Sequence, residues 1–506
     1  MSTITSPRFR RHVGVAWLPA LMVLLAAAGV GALTGTHPRQ GVTVAVVLCG
    51  TAVLVLNPRL ATLVVVVLLY SNAAVIASTV HGLPGFVTAA VLLLLLIPLI
   101  DFVLMRHEPI VLLPALPWLV GYLIMQVVGA ARAIEPAIAM QNLQVFLLEG
   151  FCLFMGISNV VRTPAMLRRV LWSLLAVGAV LGALSLHQFL TGSFDQNYLG
   201  FAQNSDVKLE MLRMDPFGDN PPPRLGGPVG GQNRYAQIML MLVPFGLIAA
   251  RGAIYRWYRV TAVVATVLIL IGATLTFSRG GAVGFVLLVM IMTVMGYLRG
   301  RHLVALALIV GCLMVAFPRY TERLSSLPDA VSLVTDADSG SQADGAVRGR
   351  LSSSIGAMRV FAVNPLLGVG PGMYPQYHRA EAIEIGLRVE QNRQPHSLLP
   401  HVAAESGAIG LIMFLGVIAV TLSRLRAARR ALRRLRPDLA DLMAAFTLSV
   451  WTYLATGLFL HLSYERYFWL LMALSGAAAA VGSRQAEILI DARKRPRTPA
   501  EAGIRG

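Results

Sequence analysis

Charge is scarce in this chain of 506 residues: Asp, Glu, Lys and Arg make up 13% of it, about half the share of an average soluble domain. Acids are scarcer still, 24 against 42 basic residues, which leaves a formal net charge of +18. Cysteine is nearly absent. The three present, Cys49, Cys152 and Cys312, all lie in apolar runs rather than in polar loops, which argues against a disulfide framework or a cysteine metal site. No low-complexity segment and no internal repeat is evident, so repeat architectures find no support. What is abundant is apolar: 56% hydrophobic residues and a mean hydropathy of +0.70. That composition excludes an ordinary soluble globular protein and requires a membrane. The 46 glycines and 27 prolines, spread through apolar stretches and loops alike, fit transmembrane helices.

A helix needs about 20 mostly apolar residues to cross the hydrocarbon core. Runs of that kind lie near 13–33, 41–56, 60–79, 86–105, 109–130, 142–161, 168–190, 235–250, 260–278, 281–298, 303–317, 406–423, 439–460 and 467–482. The expected fold is therefore an all-α integral membrane protein of about fourteen transmembrane helices, or twelve or thirteen if the shorter runs 41–56, 235–250 and 303–317 do not all span. The first run follows Arg8, Arg10 and Arg11 and is long enough for an uncleaved anchor rather than a signal peptide.

The net charge has a topological explanation. With a cytoplasmic N-terminus, the connections after every second span carry Arg59, Arg106, Arg162/Arg168/Arg169, Arg251/Arg256/Arg259, Arg299/Arg301 and the run Arg424 to Arg436. Together with the basic ends of the chain they hold 26 of the 42 basic residues, while the opposite face carries 16 basic and 16 acidic ones. Positive charge is retained inside, so both termini are expected in the cytoplasm, and the basic excess reads as topology and lipid attraction rather than as a nucleic-acid footprint.

This organisation divides the chain into N-terminal transmembrane helices (1–190), an outer loop (191–234), central transmembrane helices (235–317), a large outer loop (318–405), C-terminal transmembrane helices (406–482) and a basic cytoplasmic tail (483–506). Both long loops fall on the outer face. The larger contains an amphipathic helix predicted over Leu351 to Val363. Loops of that length are commonly functional, so chemistry is expected outside.

The outer segments hold an arginine set and one conspicuous histidine. In Thr276-Phe277-Ser278-Arg279-Gly280-Gly281, Arg279 sits at the outer end of a span, before two glycines that permit close approach. It reads either as an interfacial anchor that snorkels to the headgroups or as a clamp whose planar fork matches phosphate oxygens. Arg350 opens the predicted loop helix, as a solvated charge or as a second clamp. Fifteen residues later comes Pro365-Leu366-Leu367-Gly368-Val369-Gly370-Pro371-Gly372-Met373-Tyr374. This glycine-rich turn lacks the Lys-Ser/Thr of a P-loop, and a nucleotide site is rejected. His396, just ahead of a membrane helix, is a candidate general base for a hydroxyl nucleophile or an interfacial histidine. Glu405 serves either as an acid offsetting the helix dipole or as a group orienting the histidine.

His396-Ser397, followed after nine residues by Gly407 and after two more by Gly410, resembles the signature of the O-antigen ligase and polymerase superfamily of bacterial envelope glycan enzymes. That family typically shows His-Asn, so Ser397 is a departure. Thr276 to Gly281 is similar to the family's second motif, and Arg350 ahead of Pro365 to Gly370 to its third. Arg224-Leu225-Gly226-Gly227 with Gln232-Asn233 is a weaker match to an Arg-x-x-Gly approach to a helix. The matched stretch covers roughly 220–415. The resemblance implies a GT-C-like glycosyltransferase arrangement in the bacterial inner membrane, with a periplasmic active site and no metal or nucleotide cofactor. The donor would be an undecaprenyl-diphosphate-linked glycan, and the acceptor a glycan or lipid A core. By resemblance Arg279 and Arg350 would hold the donor diphosphate, His396 would be the catalytic base, and Arg224, Asn233 and Glu405 would support them.

Within this reading, a ligase that attaches polysaccharide to a sugar hydroxyl and a polymerase that joins lipid-linked repeat units share donor chemistry and differ in acceptor. The competing class is a transporter of lipid-linked sugars. Transporters commonly show internal repeats and ionisable groups near mid-membrane. Here the one clearly intramembrane acid is Glu149, with Asp101 near a span end, and polar residues concentrate in the outer loops, which favours an enzyme.

Overall fold

A computed structural model describes residues 50–204, 224–253, 255–300, 303–304, 345–384, 395, 397–460, 462 and 465–494. Within them the chain forms helices α1 (Pro58–Tyr70), α2 (Ala73–Thr79), α3 (Val87–Met105), α4 (Leu116–Arg132), α5 (Pro136–Val160), α6 (Pro164–Thr191), α7 (Gln232–Gly252), α8 (Arg256–Thr274) and α9 (Arg279–Val294). They continue with α10 (Gly345–Val363), α11 (Tyr374–Glu384), α12 (Leu398–Leu432), α13 (Pro437–Gly457) and α14 (Glu465–Lys494). The only strands among the described residues are β1 (Gln203–Asn204) and β2 (Leu225–Gly227), an antiparallel pair.

Each apolar run of the sequence that falls within these bounds is helical over most of its length. Seven of the helices are long and apolar enough to cross a membrane, or eight if α1 and α2, bent by 54° at their junction, make one span. That is fewer than the twelve to fourteen spans expected. The runs at 13–33, most of 41–56 and most of 303–317 lie outside the described residues. Two others are shorter than read: α4 has 17 residues and α9 has 16. Pro109 and Pro114 account for the first, since neither can donate a helical amide and α4 starts beyond them. The loop helix predicted over Leu351 to Val363 is α10, which starts earlier, at Gly345.

Local chemistry sets the ends of α6. Thr163 Oγ1 accepts from Met166 N at 3.2 Å, Pro164 occupies the first turn, and Gly192 closes the helix at φ +63°. Its interior is built for contact. A Cβ on Gly182 would lie 2.1 Å from the Leu268 carbonyl oxygen of α8, and Gly272 of α8 faces Gly182 in return. Small residues thus bring two long helices together where no water drives them. In contrast Val286, Met290 and Val294 stand 64%, 53% and 83% exposed along one stripe of α9. Apolar residues at this spacing on the rim of an apolar helix face lipid. Buried aromatics join α4, α5, α12 and α14: Tyr122 meets Phe146 at 5.2 Å, Phe414 meets Phe468 at 5.0 Å, and Phe468 meets Trp469 at 4.9 Å between ring centroids.

Candidate active site

The first polar centre forms where α8 turns into α9. Thr276 Oγ1 donates to Ala273 O at 2.7 Å and accepts from Ser278 N at 3.2 Å. Between them Phe277 is held at φ +49°, a conformation that costs a non-glycine residue free energy and persists only under surrounding constraint. Ser278 Oγ accepts from Gly281 N at 3.1 Å and so caps α9, and it donates to Asn233 Oδ1 at 2.7 Å. Arg224 completes the set, with Nε donating to Thr276 O at 3.1 Å and Nη2 to Asn233 Oδ1 at 3.4 Å. The strained turn makes Arg279 the first residue of α9. Three of the residues singled out in the sequence, Arg224, Asn233 and Arg279, meet at this turn. Gly227 lies at φ +57° against the ring of Tyr235, where a Cβ would come within 2.6 Å of it.

The second centre lies at the bend of α12. Gly407 takes φ 65°, ψ −171°, a combination open to glycine almost alone, and breaks the helix there. The glycine-rich turn 365–372 straps across the break. Val369 N donates to Ala404 O at 3.0 Å, Gly370 N to Glu405 O at 2.9 Å, and Ala408 N to Pro365 O at 2.7 Å. The groups freed by the kink are thus satisfied by the turn. The turn's glycines have a packing role. A Cβ on Gly368 would lie 2.4 Å from the Glu405 carbonyl carbon.

Beside the bend is a cavity of about 350 Å³ between α4, α5, α12 and the start of α14. Glu405, Glu149, Glu465, His401 and Arg466 all line it. His401 Nε2 lies 3.3 Å from Glu405 Oε1, one helical turn away, and Tyr374 N donates to the same oxygen at 3.4 Å. Arg466 Nε is 3.3 Å from Glu149 Oε2, so the one acid read as clearly intramembrane is ion-paired. Glu465 accepts from Trp469 Nε1 at 3.2 Å.

The connection between α13 and α14 links the two centres. Phe459 packs on Gly280, beside Arg279, where a Cβ would lie 3.1 Å from its own Cβ. Three residues on, Leu462 N donates to His401 Nδ1 at 3.3 Å. Glu405 belongs to the second centre, in contact with His401. His396 lies outside the described residues; its neighbours Pro395 and Ser397 are buried ahead of α12. Arg350 lies in the first half of α10, which packs against α12. Among the described residues, no group of three or more His, Cys, Asp and Glu is placed to hold a metal ion.

Residues 264–415 match the family model described as O-antigen ligase. That stretch, under a third of the chain, is similar to the O-antigen ligase family. The match runs from within α8 to just past the bend of α12 and covers part of each centre: it includes Arg279, Arg350, His396, Glu405 and Gly407, while Arg224, Asn233, Glu149, Glu465 and Arg466 fall outside it. A search of the curated proteins finds no match.

Sequence reasoning passed over His401, Arg466, Glu465 and the buried Arg234, whose Nη1 donates to Gln237 Oε1 at 2.6 Å. The i, i+4 spacing of His401 and Glu405 was a usable signal. So was the pair Glu465-Arg466 at the entry to an apolar run, where charge is costly without a partner.

Proposed function

We propose that this protein is a metal-independent glycosyltransferase of the O-antigen ligase type, acting at the periplasmic face of the bacterial inner membrane with both termini in the cytoplasm. Its donor is an undecaprenyl-diphosphate-linked glycan, and its acceptor a sugar hydroxyl such as that of lipid A core. The observation that carries this reading is the placement of Arg279. A strained, hydrogen-bonded turn in the stretch that matches the O-antigen ligase model makes Arg279 the first residue of α9, and Phe459 and Leu462 connect this turn to the segment that follows His396, which supports the reading.

In this mechanism Arg279 and Arg350 bind the donor diphosphate and neutralise the charge that grows on it as the anomeric C–O bond breaks. His396 takes the proton of the acceptor hydroxyl as the new glycosidic bond forms. Polyprenyl diphosphate leaves. Arg224 and Asn233 hold the turn that carries Arg279. Glu405 and His401 support the start of α12, which His396 precedes.

The test is transfer by the purified protein from a defined undecaprenyl-diphosphate oligosaccharide, run with and without a chelator. Product that survives chelation supports the reading, and product that requires an added divalent cation contradicts it. The product also separates the alternative: a lipid A core conjugate means ligase, and a lengthened lipid-linked chain means a polymerase joining repeat units.

A further inference from the structure

At the face where the charge pattern puts the cytoplasm, a second cavity of about 490 Å³ opens between α1, α3, α6 and α14. Five arginines from four parts of the chain line it: Arg59, Arg106, Arg162, Arg169 and Arg484. Two of them are engaged. Arg106 pairs with Asp101 at 2.8 Å, and Arg162 pairs with Glu108 at 3.1 Å while donating to Asn159 O at 2.6 Å. Phe102 lies between these two guanidinium groups, 5.4 Å and 4.8 Å from its ring centre, and fixes that wall.

The engaged pairs consume both acids of the cavity. The other three guanidinium groups, of Arg59, Arg169 and Arg484, are exposed and make no hydrogen bond or ion pair among the described residues. Three like charges converging on one concavity repel each other unless an anion joins them. An adjoining cavity of about 630 Å³ shares Arg59, Arg106 and Arg169 and continues along Leu56, Leu60 and Leu63 of the apolar surface. Leu56 and Ile488, one beside each cavity, are exposed.

We propose that this cavity is a binding site for an anionic membrane phospholipid, with its phosphate head among Arg59, Arg169 and Arg484 and its acyl chains along Leu56, Leu60 and Leu63. Charge complementarity selects a phosphate, and the apolar continuation selects a lipid over a soluble phosphate compound. The site lies on the opposite face from the transfer chemistry and does not depend on it.

The experiment measures lipid retained by the purified full-length protein, by native mass spectrometry, after exposure to vesicles of cardiolipin, phosphatidylglycerol or phosphatidylcholine. The expected result is retention of the two anionic lipids and not of phosphatidylcholine. The Arg59→Ala/Arg169→Ala/Arg484→Ala variant should lose about tenfold or more of that retention. The matched control Arg426→Ala/Arg430→Ala/Arg433→Ala, on exposed arginines away from the cavity, should lose little. Should the triple variant not fold, the single reversal Arg169→Glu replaces it, with the same expected loss. Equal losses in the site variant and the control, retention of phosphatidylcholine as strong as that of the anionic lipids, or displacement of the lipid by millimolar inorganic phosphate would each overturn the proposal.

Discussion

Gly407 and Leu366 approach each other so closely that a Cβ on the glycine would lie 2.3 Å from the leucine carbonyl oxygen. One belongs to the motif that follows His396 and the other to the turn that follows Arg350, so this contact holds two motif segments in register. Gly407→Ala would meet both the clash and a backbone conformation that alanine rarely adopts. The expected cost is about 1–3 kcal/mol from conformation alone, read as a lower unfolding midpoint in detergent, together with loss of transfer. An unchanged midpoint would mean that the strap does not constrain the bend.

Ser278 joins the cap of α9 to Asn233. Ser278→Ala removes both bonds and should destabilise the helix start by about 0.5–2 kcal/mol. Because Arg279 follows directly, the apparent KM for the lipid donor should rise more than the overall stability falls. Ser278→Thr retains a capping hydroxyl and should recover most of the activity in the same assay.

Arg279 itself should tolerate lysine poorly. A point charge replaces the planar fork, so Arg279→Lys should keep partial activity with a raised donor KM, and Arg279→Ala should fall well below it. Donor-titration kinetics on membranes with matched protein levels decide this. Equal activity in the alanine variant and the parent would remove the residue from donor binding.

The ion pair of Arg466 and Glu149 is nearly enclosed, with side chains 8% and 12% exposed. Arg466→Ala leaves a buried carboxylate without this partner and should cost about 3–5 kcal/mol, whereas Arg466→Met combined with Glu149→Leu should recover most of the stability. Unfolding of the two variants and the parent in mixed micelles measures both. Recovery of stability without recovery of transfer would show that the pair also serves the site.

The helical spans were legible because apolar runs of membrane length leave the chain few other structures. Their ends were less so: Pro109 and Pro114 delay α4 beyond the start of its apolar run, and α12 begins at Leu398, ahead of the expected boundary at 405/406. Arg224, Asn233 and Arg279 could be selected by motif, and the structure brings them to one turn. The partner of Glu149 could not be read, since Arg466 lies more than three hundred residues further along the chain and only folding brings them together. Glu405 was assigned to a histidine or to the helix dipole; the histidine it meets in the described residues is His401.

The most direct test of the transfer mechanism is single-turnover reaction of purified His396→Ala with a defined undecaprenyl-diphosphate oligosaccharide and a sugar-hydroxyl acceptor. The mechanism predicts retained donor binding with product formation reduced by a factor of about 10²–10⁴, the usual contribution of a positioned general base. Product formed at the parent rate would contradict it.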